Sequence, residues 1–142
     1  MYKSVLVAID LNDAVGSTRL AEVAIRLAKD NGAGLHFIHV IPDFGMSIVG
    51  SYFTAEQTKR MVVAERSKFE DWAKAEVPEG VEFDLTVLKG HVYNNILKTA
   101  DKIGADLIVV GSHRPELEDY LLGPNSARVV RHAKQSVFVV RS

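Results

Sequence analysis

The chain has 142 residues, of which 47% are hydrophobic and 25% are charged, and its formal net charge at pH 7 is −1. This balance is typical of a folded globular protein, and it gives no reason to expect nucleic acid or an anionic membrane as a partner. The absence of cysteine excludes disulfides, thiolate metal sites and thiol nucleophiles, and no apolar run reaches the length of a membrane span.

The first third of the chain predicts two strands separated by a helix. Residues 5–9 form a short apolar run rich in β-branched residues, which is typical of a strand buried on both faces. Apolar residues at helical spacing over 20–28 predict a helix, with candidate N-caps at 16–18 and an end at 31–32. Residues 35–41 alternate more strongly than the first strand, so we expect a somewhat less buried position.

The longest irregular segment, residues 43–53, is too apolar for a plain linker. It is interpreted either as a lid or interaction segment, or as a crossover whose apolar residues cover the edge of the core. Thr54 and Gln57 then have the spacing of a capping box and predict the start of a helix. Phe69 and Trp72 on this helix are interpreted as core residues and not as a cofactor site.

The remaining elements continue the same alternation of strands and helices. Strands are predicted at 83–88, 107–110 and 137–140, with a helix that carries residues 96–103 and another that begins near 123–126. Such alternation predicts an α/β fold in which helices cover both faces of a parallel sheet. Right-handed crossovers favour a doubly wound sheet, for which we assume five strands in the order 3-2-1-4-5. We expect one domain over residues 1–142, located in the cytoplasm because the chain begins without the apolar core of a signal peptide.

Two loops place polar residues directly after a strand. Asp10 follows the first strand, and Gly111 begins the loop after the fourth. In doubly wound sheets, ligands bind beyond the carboxyl ends of the strands where the winding direction reverses, so both loops are predicted to face one crevice. Gly123 to Ser126 lead into the last helix, whose N-terminus favours a phosphate. The pattern is neither a Walker A loop nor G-x-G-x-x-G.

Three side chains near this crevice each have two interpretations. Asp10 is predicted either to bind a divalent cation that accompanies phosphate or to cap its own loop. Arg114 is a bidentate phosphate partner or an exposed, solvated arginine. His113 is a general base or a hydrogen-bonding wall of the pocket. The histidines show no metal-binding spacing, and no G-x-S-x-G elbow is present for acyl transfer.

Six motifs are spread over essentially the whole length of the chain: V-L-V-A-I-D at 5–10, H-V at 39–40, A-D-L-I-V-V-G-S-H at 105–113, Y-L-L-G-P-N-S-A at 120–127, V-V-R-H-A at 129–133 and S-V-F-V-V-R at 136–141. Through these motifs the chain resembles the universal stress proteins. The nucleotide-binding branch of that family carries G-x-x-G, nine residues, and then G-[ST], and its members hold ATP in the corresponding crevice.

The resemblance implies a role for each matched position. Ala8 and Asp10 would lie at the ribose and phosphate side, and the backbone of Val40 would meet adenine. The residues that would line the ribose and phosphates, and then wrap the phosphate tail, are Gly111, Ser112, His113, Arg114, Gly123, Pro124, Asn125 and Ser126.

Three features depart from the family pattern. Arg114 stands where the second glycine is expected, the spacing to Gly123 is eight residues, and Pro124 replaces the serine or threonine. Pro124 removes a backbone donor and a hydroxyl. The main expectation is a stress-response regulatory module that holds ATP with Mg²⁺ or Mn²⁺ and turns it over slowly or not at all. The alternatives are a dimeric adaptor that no longer binds nucleotide and a slow ATPase.

The last strand predicts a homodimer. Val137, Phe138, Val139 and Val140 form a continuous apolar run, although the predicted strand order places them at an edge of the sheet. An open apolar edge templates aggregation, and antiparallel pairing with a second copy would satisfy its backbone. The resemblance implies the same dimer. The other interpretation is that the terminal residues 141–142 blunt this edge.

Overall fold

The computed structural model describes residues 1–42, 54–112 and 123–141, and these residues form alternating strands and helices. In chain order the elements are β1 (Ser4–Ala8), α1 (Ala14–Asn31), β2 (Gly34–Pro42), α2 (Ala55–Glu76), β3 (Asp84–Gly90), α3 (Val92–Ile103), β4 (Leu107–Gly111), α4 (Pro124–His132) and β5 (Ser136–Val140). The segment 43–53 lies outside the described residues. No described helix is long and apolar enough to span a membrane.

The five strands form one parallel sheet of order β3-β2-β1-β4-β5, which confirms the predicted fold class. Val5 of β1 is in register with Leu35 of β2 on one side and with Leu107 of β4 on the other. The chain moves from β1 outward through β2 to β3 and then returns to the other side of β1. The winding direction therefore reverses between β1 and β4, whose carboxyl ends are neighbours.

Two core layers lie on opposite faces of the sheet. Val5 and Val7 of β1 pack on the α1 and α2 side, whereas Leu6 packs on the α3 and α4 side, and all three are fully buried. Successive side chains of a strand point to opposite faces, and here both faces are covered by helices. This double burial explains why β1 is continuously apolar instead of alternating.

The N-terminus of α1 differs from the sequence expectation, which placed its cap at 16–18. The helix begins at Ala14, and the Asp13 side chain caps it by accepting the N–H of Gly16 at 3.0 Å. Ser17 is instead buried in the first turns, where its Oγ donates to the carbonyl of Asp10 at 2.6 Å. The carboxylate of Asp13 reaches the free amides first, because the chain turns sharply between residues 10 and 13.

The second strand is also more buried than expected. Residues 37–41 are all buried, including His39. Alternation in the sequence suggested a half-exposed strand, but β2 lies between β1 and β3 and has helices on both faces.

The predicted capping box of α2 is present, with Thr54 and Gln57 bonded to each other's backbone amides.

Candidate functional site

A cavity of about 480 Å³ opens at the carboxyl ends of β1 and β4, where the winding reverses. Its volume lies in the range of small-molecule sites. His113 and Arg114, which the sequence placed at this site, lie outside the described residues. The other predicted site residues all line the cavity: Ala8, Asp10, Val40, Gly111, Ser112, Gly123, Pro124, Asn125 and Ser126.

One wall of the cavity is the turn between β1 and α1. Asp10 accepts the N–H of Asn12 through Oδ1 at 2.9 Å, and its carbonyl accepts the N–H of Asp13 at 3.0 Å. The same carbonyl accepts the hydroxyl of Ser17 at 2.6 Å. Asp10 therefore caps its own loop, and its second carboxylate oxygen has no donor within the described part of the chain. One oxygen remains for a ligand or a cation.

The opposite wall is the start of α4. Its N-cap, Gly123, provides no side chain, and no side chain among the described residues accepts the amides of Asn125 and Ser126. The side chains of these two residues are occupied elsewhere: Ser126 Oγ donates to the carbonyl of Gly111 at 2.6 Å, and Asn125 Oδ1 accepts the N–H of Tyr93 at 3.3 Å. Free amides at a helix N-terminus, together with the positive end of its dipole, favour an anion.

Neither Gly111 nor Gly123 needs to be glycine for its backbone conformation, and both have open space where a side chain would lie. Gly123 has φ −68° and ψ 162°, an extended conformation open to any residue, and Gly111 has no positive φ. No described heavy atom lies within 4 Å of the position that a Cβ would occupy on either glycine. By contrast, Gly32 and Gly104 adopt the left-handed conformation that ends a helix. The open space at Gly111 and Gly123 is therefore available to a ligand that approaches the backbone closely.

Several cavity residues were missed by sequence reasoning. Arg19 lines the cavity from the second turn of α1, where its exposed guanidinium adds a cation to a site that already contains Asp10 and Asp13. No sequence motif marks Arg19, because its distance from the cavity depends on how α1 lies across the sheet.

His39 is the buried histidine of the site, which also has the buried side chains of Ser17 and Ser112. It is 3% exposed and lines the cavity from the end of β2. Its Nδ1 lies 3.1 Å from the carbonyl oxygen of Ile9, and its Nε2 lies 3.1 Å from Oε2 of Glu65 on α2. A histidine inside an apolar strand is the one signal of this role in the sequence, because its carboxylate partner is 26 residues away along the chain.

The described residues contain no group of three or more His, Cys, Asp or Glu side chains that could hold a metal ion by themselves. Among the described cavity residues, the carboxylates are those of Asp10 and Asp13, and one oxygen of Asp13 accepts the N–H of Gly16. This donor set suits a hard cation that keeps most of its water or shares phosphate oxygens, and it does not suit a metal held entirely by protein.

Comparison with protein families matches residues 1–141 to the universal stress protein family. Universal stress protein G of Shigella flexneri is 29% identical over 153 residues, covering 99% of this chain and 100% of that protein. Universal stress protein YxiE of Bacillus subtilis is 31% identical over 150 residues, again covering 99% and 100% of the two chains.

Solved structures with this fold include the hypothetical protein MJ0577, with a TM-score of 0.74, 26% identity and coverage of 100% of this chain and 97% of that one. A universal stress protein in complex with cAMP has a TM-score of 0.66, 24% identity and coverage of 98% and 97%. The universal stress protein of Archaeoglobus fulgidus in complex with dAMP has a TM-score of 0.67, 20% identity and coverage of 97% and 97%.

Proposed function

Because the chain belongs to the universal stress protein family, we propose that it is a stress-response regulatory module that holds ATP between the carboxyl ends of β1 and β4. The observation that carries this proposal is the open space at Gly111 and Gly123 beside the uncapped N-terminus of α4. We also propose a single cytoplasmic domain over residues 1–142, and the family match over residues 1–141 supports the single domain.

The cavity offers separate surroundings for the base and the phosphates. Val40, Ile96 and Val110 supply an apolar wall that suits adenine, with the backbone of Val40 facing the base. In this proposal Ala8 and Asp10 lie at the ribose side, Gly111 and Ser112 line the ribose and first phosphate, and residues 123–126 wrap the phosphate tail, with His113 and Arg114 next to it. Relatives of the same fold that bind cAMP and dAMP support an adenine nucleotide as the ligand class.

A divalent cation, Mg²⁺ or Mn²⁺, would accompany the phosphates at Asp10. The free carboxylate oxygen of Asp10 is the group that would hold it, because Mg²⁺ commonly takes one or two carboxylates together with phosphate oxygens and water. When bound, the cation would neutralise phosphate charge close to a carboxylate.

Turnover is proposed to be slow or absent. Hydrolysis needs a base or amide that orients water on the terminal phosphate. Among the described cavity residues, Asp10 caps a turn and both ring nitrogens of His39 face protein acceptors. Sustained hydrolysis at about 1 s⁻¹ or faster, lost on substitution of Asp10 or His113, would contradict a binding module.

One observation favours the second candidate, a dimeric adaptor without nucleotide. Pro124 is the first residue of α4 and has no N–H, and the hydroxyl of Ser126 is already bonded to the carbonyl of Gly111. The phosphate tail would therefore receive fewer donors from α4 than from a loop with serine or threonine at position 124.

Native mass spectrometry of freshly purified protein separates the two candidates. A bound adenine nucleotide, released on denaturation and identified by its mass, is the expected result. Protein that carries no nucleotide and gains no thermal stability from millimolar ATP with Mg²⁺ would replace the binding module with the adaptor.

We further propose that two copies dimerise through β5, by way of Val137, Phe138, Val139 and Val140. In the described residues β5 pairs with β4 on one side and with no strand on the other. Contrary to the doubly buried appearance of its sequence, Phe138 is 42% exposed and Val137 and Val139 are half-buried. Antiparallel pairing about a two-fold axis would bury this edge and close the assembly.

The dimer is tested by Val139→Pro. Ser112 donates to the carbonyl of Val140, so the backbone of Val140 faces β4 and the N–H of Val139 faces the open edge. Proline would remove that donor and yield a monomer or an aggregate in light scattering. Val139→Thr keeps the N–H and the branched shape and should remain dimeric. Wild-type protein that is monomeric at tens of micromolar would exclude the dimer.

A further inference from the structure

Ile9, the residue before Asp10, is held by β2 through both its N–H group and its carbonyl. The N–H of Ile9 donates to the carbonyl of Ile38 at 2.8 Å, and its carbonyl oxygen lies 3.1 Å from Nδ1 of His39. The next carbonyl, that of Asp10, accepts the N–H of Asp13 and the hydroxyl of Ser17. The position of the Asp10 turn therefore depends on the ring of His39.

The ring of His39 is itself held by α2. Its Nε2 lies 3.1 Å from a carboxylate oxygen of Glu65, and the ring packs on Phe69 with centroids 5.8 Å apart. The side chain of His39 is 4% exposed and that of Glu65 is 23% exposed, so water competes weakly for this contact. Lys68 lies 3.2 Å from the other oxygen of Glu65 and so holds this carboxylate from its far side.

The two contacts of His39 limit where the protons of the His39 and Glu65 pair can lie. A neutral imidazole has one donor nitrogen and one acceptor nitrogen. Both nitrogens of His39 face oxygens that accept, one from a carbonyl and one from a carboxylate. Both contacts are hydrogen bonds only when the pair holds one more proton than a neutral ring and an ionised carboxylate.

We propose that His39 and Glu65 are positioning residues of the pocket: the pair fixes the carbonyl of Ile9, and with it the Asp10 turn, to α2. Neither side chain needs to touch the ligand. This inference rests on the proposed function only for its consequence in nucleotide affinity, because the ordering of the Asp10 turn is a property of the ligand-free protein. It makes α2, which begins directly after residues 43–53, a part of the binding site.

The first test uses hydrogen exchange in the ligand-free protein. Glu65→Ala removes the anchor of the ring and should raise the exchange rates of the Asn12 and Asp13 amides, which bond to Asp10, by roughly tenfold. Glu65→Gln should restore wild-type rates, because its amide group can donate to an unprotonated Nε2 while Nδ1–H still donates to Ile9. Glu70→Ala is the matched control, since Glu70 lies on the same helix and pairs with Arg66 at 3.1 Å.

The second test measures the affinity of the same proteins for ATP with Mg²⁺. Glu65→Ala should weaken binding by roughly tenfold, whereas Glu65→Gln and Glu70→Ala should bind like wild type. Unchanged Asn12 and Asp13 exchange in Glu65→Ala would overturn the positioning role. An equal rise at the Val7 amide, in the centre of β1, would also overturn it by showing a general loss of stability. If wild type binds no nucleotide but Glu65→Ala loosens the turn and Glu65→Gln restores it, the positioning role stands and the proposed function fails.

Discussion

In the described part of the chain, side chains accept hydrogen bonds from backbone N–H groups at the amino end of the sheet but not from the first amides of α4 at the carboxyl end. At the amino end, the carboxylate of Asp106 accepts the N–H groups of Lys3 and Ser4 at 2.9 and 3.0 Å, and the N–H of Asp106 donates to the carbonyl of Ser4 at 3.0 Å. Asn31 accepts the N–H of Tyr2 at 3.1 Å at the same end. At the carboxyl end, the first amides of α4 have no side-chain cap.

This difference shows that folding satisfies the backbone groups at the amino end, whereas the carboxyl end keeps groups that a ligand can bind. Donors and acceptors at the amino end are satisfied by the protein itself over a separation of 102 or 103 residues. At the carboxyl end, the chain leaves a cavity of about 480 Å³ and two glycines with open space beside them. Substitutions at the carboxyl end should therefore change ligand binding, and substitutions at the amino end should change stability.

The largest expected effect is stabilisation by ATP with Mg²⁺, which acts only at the carboxyl end. At a hundredfold excess over Kd, binding should raise the free energy of unfolding by roughly 2.7 kcal/mol, because the ligand binds the folded state alone. In a thermal melt this corresponds to roughly 5–10 °C at this chain length. An unchanged melting temperature at millimolar ATP would contradict the comparison, because the open end would then have no nucleotide to complete it.

Gly123→Val should remove most of that stabilisation while leaving the fold intact. The extended conformation of Gly123 accepts a valine and no described atom obstructs its Cβ, but the branched side chain would occupy the path of phosphate to the amides of α4. Gly34→Ala is the control at the amino end, where the added Cβ would lie 3.8 Å from the carbonyl of Lys3, an ordinary contact. Calorimetric titration with ATP measures both variants. Wild-type affinity in Gly123→Val would place the phosphates elsewhere.

Asp10→Asn should have a smaller and metal-dependent effect. Asparagine keeps an acceptor for the N–H of Asn12 and loses the charge, so nucleotide affinity should fall by about tenfold, or about 1.4 kcal/mol, with Mg²⁺ present. In EDTA the variant and the wild type should bind alike. Asp10→Ala, which also breaks the turn, should lose affinity under both conditions. A loss in EDTA that is as large for Asp10→Asn would show that the charge shapes the loop and holds no cation.

The smallest effect is expected at the amino end, as a change in the pH dependence of stability. Hydrogen bonds from the amides of Ser4 and Lys3 lower the pKa of Asp106 from its ordinary value of 3.8. The unfolded chain then binds the proton more readily, so this contribution is present above the ordinary value and is lost as the pH falls through the lowered one. In Asp106→Asn, urea unfolding below pH 4 should lose this acid-dependent decline.

His36 provides an internal reference for that experiment. Burial lowers its pKa from 6.5, an effect that the charge of Asp84 partly opposes. The folded state therefore binds a proton less readily than the unfolded chain, and stability should decline as the pH falls below 6.5. This decline should be the same in wild type and in Asp106→Asn. If Asp106→Asn alters it as well, the substitution has changed more than one carboxylate.

Local patterns in the sequence predicted the elements of the fold. The capping box joins Thr54 and Gln57, which are three residues apart. The glycine that ends α1 directly follows the last residue of that helix. Both features can therefore be recognised from residues that are close together in the sequence. Continuous apolar runs predicted β1 and β4 because both faces of a central parallel strand are covered. The handedness of the crossovers predicted the doubly wound class, whereas the order 3-2-1-4-5 was assumed, and the predicted location of the cavity at the carboxyl ends of β1 and β4 depended on that order.

Contacts between distant residues were decided only by the tertiary structure. His39 meets Glu65 across 26 residues, Arg19 reaches the cavity through the placement of α1, and Asp106 meets Lys3 across 103 residues. The cap of α1 was misplaced by three to five residues because several residues near its start can cap a helix, and the turn at Asp10 selects among them. A one-dimensional pattern fixes which groups need partners. Which partners they find depends on register and packing, which exist only once the strands are ordered and the helices lie against them.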